Sequence, residues 1–505
     1  MNACNSLGHV IKMTKKEKWR KNVKKSLITI ALAVTFAVVM GACGDGGTAP
    51  PATPPAGGGT ATPAQTGDTG TAAPDEGWEG NLRVWSFTNE AEVIATAFRG
   101  LNPGVNIDFQ MASMDGGVFQ DWVTLALAVG GSDVPDVIFM EADFVRSFVL
   151  EPGMLADISD LMPYANALET IPFTIQAGTD DAGIIRAFSY QATPGAMFYR
   201  RSMAQRYFGT DDPGQLQPLF ANLDIFVDSA RQIREISGGS TRVVSSPTEV
   251  YRAFLPNRAQ PWIVGNSLNI DPLMLEYMTF ANALRNEGLD AEVGQWSPEW
   301  FDAMRDQLMD ANGNLIEVFS FFMPTWGLPF VIYGNAADYT HGDWGIIPGP
   351  LPFQWGGTWL AVTEQAANFE LAREFVRFAT LDEDHLRNWA TGVYTNQFLA
   401  AIDPSVPGDL SQGGGDLVSS ARLIRELTPQ FNDAPTAQFI GGQNPYVIFG
   451  EAAMQVSFGL QQGTDATIGD AFIDAVDLYI TGEADREGAL TSFRNDVSIA
   501  VPGLN

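Results

Sequence analysis

Two cysteines and three histidines are all that this 505-residue chain offers to thiol, imidazole or soft-metal chemistry. Cys4 and Cys43 lie near the N-terminus, so everything beyond residue 43 lacks a disulfide, a thiolate nucleophile or a Cys-ligated metal. Past that point only His341 and His385 remain, in no metal-ligand spacing, and a zinc or Ser-His-Asp hydrolase would have to route everything through one of them. No metal and no cofactor is expected. What the chain has in quantity is carboxylate, 59 Asp and Glu, together with 12 Trp. Carboxylates suit two kinds of task. One is acid/base cleavage of glycosidic bonds, which needs two carboxyls about 5 Å or about 6.5–9.5 Å apart. The other is binding of polar groups with no covalent step.

Cys43 sits at a boundary. Lys15, Lys16, Lys18, Arg20, Lys21, Lys24 and Lys25 form a basic stretch, Leu27 to Met40 an apolar one of about 14 residues, too short to span a bilayer, and Met40-Gly41-Ala42-Cys43 ends it with small residues. This pattern predicts an export signal over 1–42. Small-small-Cys resembles the lipobox of bacterial lipoproteins, in which the cysteine is lipidated and becomes the new N-terminus; Met40 stands where that group usually has Leu. An ordinary secreted protein with an incidental cysteine is the alternative. Residues 44–77 are almost entirely Gly, Ala, Pro, Thr, Asp and Gln, so 43–79 reads as a lipidated cysteine and a disordered tether.

The remaining stretch of about 427 residues is long enough for two large lobes. The full chain carries a net charge of −30. The leader holds eight basic residues and one acid, Glu17, and its removal leaves 21 basic against 58 acidic side chains, with no lysine after Lys25. Such a surface repels nucleic acid phosphates and anionic headgroups, which argues against both as ligands and leaves the lipid as the membrane attachment. A neutral or cationic small molecule fits better.

The elements that would position a site begin with a strand at Asn81–Phe87. Val93, Ile94, Ala97, Phe98 and Leu101 then recur at helical spacing until Asn102-Pro103-Gly104. Alternating Val105, Ile107 and Phe109 predict a second strand, about Phe119 to Val129 a helix, and Asp136–Met140 a buried strand. This β-α-β-α-β run implies a parallel sheet covered on both faces, an α/β fold. Further helices are expected at Asp271-Pro272, at Ser297-Pro298-Glu299 and around Leu371, Phe375 and Phe378. Pro348-Gly349-Pro350-Leu351-Pro352 reads as an irregular connector into Trp355–Val362.

Asp136-Val137-Ile138-Phe139-Met140-Glu141-Ala142-Asp143, continuing to Gly153–Ile158, resembles a segment of the family 1 extracellular solute-binding lipoproteins of carbohydrate ABC importers, the maltose-binding-protein-like group. Further matches follow in that family's order: the opening strand to Trp85, Met197–Arg201, Pro324-Thr325-Trp326, Gly342–Gly345, Gly356–Trp359 and Ala372–Phe375. The resemblance implies a two-lobed, periplasmic-binding-protein-like fold (type II) with a hinge and an interlobe cleft. On that pattern residues 80–190 plus 335–381 form lobe 1, and 191–334 plus 382–505 form lobe 2. It also implies a monomer that captures an extracellular sugar and passes it to ABC permease subunits without catalysis. The alternatives are a cell-surface glycoside hydrolase, a binding protein for a cationic or peptide ligand, and a sensor.

Sugar hydroxyls need polar partners and sugar C–H faces lie well on aromatic rings, so the candidate site pairs carboxylates and amides with tryptophans. Asp143 follows the third strand and matches the family position whose carboxylate meets ligand hydroxyls. Asn89 and Glu90 follow the first strand and match positions that bond the sugar, and Trp326 matches the stacking tryptophan. Trp262 and Trp359 sit near loops where a ligand could approach. Glu141 neighbours Asp143 but points the other way if the strand persists. Asn444 lies in a late glycine-rich loop. Strand ends of open α/β sheets gather ligands, which points independently to the loops after Phe87 and Met140.

Overall fold

In the computed structural model, which describes residues 77–131, 133–408 and 416–504, the first strand forms over Glu79–Ser86 (β1). Helix α1, Glu90–Leu101, buries the expected Val93, Ile94, Ala97 and Phe98. Phe98 lies 5.2 Å from both Phe375 and Phe378. Asn102 ends the helix, its Nδ2 donating to the Phe98 carbonyl at 3.1 Å. Strand β2, Gly104–Met111, runs parallel to β1 along its whole length, and helix α2, Val118–Val129, leads to β3, Val137–Glu141, parallel on the other side of β1. Helix α3, Ala142–Val149, follows without a break. Buried Asp136 pins this sheet, one carboxylate oxygen accepting from Arg83 N at 2.8 Å and the other from Ala367 N at 2.6 Å. The leader, Cys43 and most of the tether lie outside the described residues.

From the edge strand β4, Phe188–Ser189, the chain passes through 190–194 into a second, three-stranded sheet. Its centre is β5, Gly195–Arg200. Helices α4, Pro247–Tyr251, and α5, Pro272–Asn286, precede β6, Ser320–Pro324, and then comes β7, Trp344–Ile347; β6 and β7 flank β5, both antiparallel. Side chains of β5 alternate between two cores, Met197 and Tyr199 to one side and Ala196 and Phe198 to the other. Asp271 and Ser297 cap the helices that follow them, accepting from Leu273 N and Trp300 N.

The connector at 348–357 is irregular and returns the chain to the first sheet as β8, Thr358–Val362, antiparallel to β3, giving the order β2-β1-β3-β8-β4. Helices α6, Phe369–Leu381, α7, Glu383–Ala390, and α8, Asn396–Ile402, cover it. Helix α9, Pro445–Ala453, then leads to α10, Asp465–Ile480, and α11, Arg486–Ala500, which pack on the second core through Phe472 and Phe493.

Two parts of the expected lobe division differ. A boundary at 335 would put β7 in the first sheet, whereas its hydrogen bonds to β5 put it in the second. A boundary at 382 would put α7 and α8 with the second sheet, whereas Trp389 packs 5.1 Å from Tyr190, Arg99 pairs with Asp403 at 3.1 Å, and Ile402 fills the space beside Gly100, all on the first. Strand pairing and helix docking are non-local choices that order along the chain does not fix. Trp389→Ala should therefore lower stability by about 3–5 kcal/mol, the cost of a large buried aromatic, in a denaturant titration. A loss below about 1 kcal/mol would make α7 peripheral.

Candidate ligand site

Glu141 ends β3 and caps α3: its carboxylate accepts from Asp143 N at 2.5 Å. Glu141 is thus the cap residue of α3, and Asp143 lies in its first turn. Asp143, released from that task, projects from the first turn towards the second sheet's layer. There Arg252, just past α4, pairs with it at 3.2 Å. The Arg252 guanidinium also lies 4.7 Å from the centre of the Trp355 ring. Trp355 meets Trp326 edge-on at 5.1 Å, and Trp326 stacks on Trp296 at 6.1 Å with the planes 13° apart. Trp326 Nε1 donates to the Trp355 carbonyl at 3.0 Å. Gly356 makes this approach possible, because at φ +75° a Cβ there would fall 2.7 Å from Trp326 Nε1. Trp296 is half exposed at the rim.

Beside this cluster runs a groove of about 490 Å³, lined by Asp143, Tyr251, Arg252, Gln295, Asp465 and Asp470 among others. It has α3 of the first layer on one side and α4 and α10 of the second on the other. Trp296, Trp355 and Arg252 were absent from the sequence-based set. Trp355 sits in the connector already singled out there, and Trp296 is an aromatic in the loop immediately before a cap residue.

Glu90 and Glu141 belong to a linked floor beneath the crossing strands. Tyr190 donates to the Glu90 carboxylate, Gln191 bonds Thr358 Oγ1 at 3.0 Å, and Thr358 is the register partner of Glu141. Asp416 joins this floor, accepting from Thr325 Oγ1 at 3.3 Å and Leu417 N at 3.0 Å. Burial raises the pKa of Glu90, the Tyr190 hydrogen bond opposing it. Burial and then the nearby Asp143 charge push Glu141 up to about 8, and burial and then Glu90 push Asp416 up to about 8. Asn89 precedes α1 and makes no side-chain cap.

Three candidates stand elsewhere. Trp262 is fully buried between Phe472 and Phe493, and Trp359 is fully buried in β8 with its Nε1 donating to the Thr174 carbonyl at 2.7 Å, so neither ring presents a face to a ligand. Both are core residues whose loop neighbours misled. Asn444 caps α9 through Tyr446 N at 2.9 Å and donates to Thr428 O and Asn432 Oδ1, each at 2.8 Å, which occupies its amide locally.

Two α/β layers, each with its own sheet, joined by crossing segments and meeting along a groove, define a two-lobed solute-binding fold of the periplasmic-binding-protein type II class. A family profile described as bacterial extracellular solute-binding protein matches residues 85–385, more than half of the chain, and the protein belongs to that family. Among solved structures, a family 1 extracellular solute-binding protein aligns with TM-score 0.67 at 18% identity, over 83% of this chain and 99% of that one. The sugar-binding protein MalE of Xanthomonas citri aligns with TM-score 0.59 at 16% identity, over 83% and 98%. A binding protein of B. animalis subsp. lactis, solved with beta-1,6-galactobiose, aligns with TM-score 0.58 at 17% identity, over 84% and 97%. None of the curated proteins matches this sequence.

The carboxyls of the floor carry a pH dependence whose sign is fixed. Glu141 and Asp416 have ordinary values of 4.5 and 3.8 and folded values of about 8, so the folded state binds more protons than the unfolded between those limits. Their contribution is fully present below about pH 4 and lost as pH rises towards 8. Unfolding free energy measured in urea should decline from pH 5 to pH 8, and Glu141→Gln should flatten the decline. A rise over that interval in both proteins would contradict the assignment.

Proposed function

We propose that this protein captures an extracellular sugar or short oligosaccharide in the groove between its lobes and hands it to an ABC permease, with no covalent step. The observation that carries the reading is the cluster of Trp296, Trp326 and Trp355 beside the Asp143–Arg252 pair: aromatic faces for sugar C–H surfaces next to charged groups for hydroxyls. Two structural neighbours, a sugar-binding protein and a binding protein solved with beta-1,6-galactobiose, support it. We take the first lobe as 79–189 plus 358–403 and the second as 195–347 plus 465–500. Asp143 contributes from the first, Trp296 and Trp326 from the second and Trp355 from the connector between them, so a ligand touching both lobes favours the closed arrangement. The protein acts as a monomer, held at the outer face of the cell membrane by lipid on Cys43 and a flexible tether.

A thermal-shift screen of residues 78–505 against mono- and oligosaccharides, with spermidine and peptides as controls, tests the ligand class. A sugar at 100 times its dissociation constant adds about 2.7 kcal/mol and raises the melting point by a few degrees. Trp326→Ala should weaken that sugar at least tenfold while leaving the unliganded melting point within a few degrees. A shift with spermidine alone would overturn the sugar assignment, and a saccharide recovered cleaved would put the hydrolase in its place. For the anchor, full-length protein should pellet with membranes on expression in a bacterial host, and Cys43→Ala should release it to the soluble fraction.

A further inference from the structure

The groove beside the tryptophan cluster is unevenly charged. Its lining includes four carboxylates, Asp143, Asp465, Asp470 and Asp474, and one cation, Arg252. Arg252 is taken by Asp143 at 3.2 Å, and Asp465 is taken by Arg258 at 2.6 Å. Asp470 and Asp474 follow four residues apart on α10, a spacing that puts two side chains on one helix face, where like charges work against the helix. Burial, and then the Asp143 and Asp474 charges, push the Asp470 carboxyl above its ordinary value, with Arg252 opposing. The Asp143 charge also helps to raise Glu141. Pairing with Arg252 therefore leaves a negative field in the groove.

A second feature stands in the same wall. Tyr251 lines the groove, is only 7% exposed, and its hydroxyl has no hydrogen-bond partner. It abuts α10 at Gly469, where a Cβ would come within 3.1 Å of Oη. Burial raises the pKa of this phenol, and Asp465 and Asp470 add to the rise against Arg258, so the hydroxyl has these carboxylates as neighbours. Unused bonding capacity beside surplus negative charge suits a donor that carries positive charge. An ammonium group is that donor: it brings three N–H groups, for the Asp470 carboxylate and the phenol oxygen, where a hydroxyl brings no charge. The carboxylates are not gathered as metal ligands, since among the described residues no group of three or more His, Cys, Asp or Glu side chains could hold a metal ion. The half-exposed Trp296 and its neighbours suit the C–H face of a sugar ring better than a polyamine chain.

We propose that the groove takes a saccharide carrying a protonated amine, an amino sugar, with the ammonium beside Asp470 and Tyr251 and the sugar rings against the tryptophan cluster. This rests on the sugar-capture reading and narrows its substrate class. Asp470 sets the specificity, Asp143 and Asp474 add to the field, and the tryptophans contact amino and neutral sugars alike.

Isothermal titration calorimetry on the full chain tests it at about pH 6, where a sugar amine is protonated, with three pairs that differ by amine against hydroxyl: glucosamine and glucose, galactosamine and galactose, chitobiose and cellobiose. In at least one pair the amine should bind tenfold or more tightly than its partner, and raising sodium chloride from about 20 mM to about 300 mM should shrink that gap severalfold. Asp470→Asn, at an exposed helix position, should bring the gap below about threefold while the hydroxyl partner keeps its affinity within about twofold. Asp224→Asn, in the first turn of the helix Leu223–Ile236 and outside the groove lining, removes the same net charge and should leave the gap unchanged. A gap below tenfold in every pair, a gap above threefold in Asp470→Asn, or an equal loss in Asp224→Asn overturns the amine site, and sugar capture stands. Failure of all six sugars to bind also overturns it; sugar capture then stands if another saccharide raises the melting point and falls if spermidine alone does.

Discussion

Thr358–Val362 enters the first sheet antiparallel to Val137–Glu141, and that pairing sets where the two walls of the groove stand. Thr358 lies opposite Glu141, so the residues just before it, Trp355 to Gly357, emerge beside the strand end that carries Asp143. Ala142 N donates to the Gly357 carbonyl at 3.2 Å, closing the corner. Were the register shifted by one residue, Thr358 and Glu141 would exchange faces with their neighbours, and the Glu141 cap that frees Asp143 would be lost. The aromatic cluster and the carboxylates of the first lobe are thus held together by backbone geometry before any ligand arrives.

Part of the charge at this groove is paired, though Asp470 and Asp474 also line it. Asp143 meets Arg252, Asp465 meets Arg258, and Glu141 and Asp416 have folded-state pKa values of about 8. In so acidic a protein, unpaired carboxylates at the groove would make it a cation trap. Each pair removes one such carboxylate, while Arg252 keeps a second face for Trp355.

Much of the first layer was legible in the sequence because its signals are local: the period changes at Glu90, the stop at Asn102-Pro103-Gly104, and the apolar run ending at Met140 each lie within one element. The opening strand is found at Glu79–Ser86 against an expected Asn81–Phe87, a shift at the ends only. What was not legible depends on contacts between distant segments. Nothing near Trp344–Ile347 says that its hydrogen bonds go to Gly195–Arg200. Asp143 lines the groove from just past a strand end, a position that local sequence marks. Trp262 and Trp359 occupy equally plausible positions and are core residues, because burial is decided by what folds over a side chain. Arg252, Arg258 and Asp465 carry no local signature, and they are found only once α4 and α10 are seen side by side.

The absence of lysine beyond Lys25 has an electrical consequence. The side-chain cations of the described residues are all arginine apart from histidine, and a guanidinium keeps its proton throughout the range in which proteins fold. His385 is buried with its pKa lowered to about 3, so it stays neutral above that. The carboxyl groups displaced towards neutrality include Glu141 and Asp416 under the groove and Glu249, at about 7, beside Phe322 N. Protons taken up or released when the groove fills would thus report on its floor, so the molecule carries its own built-in electrometer.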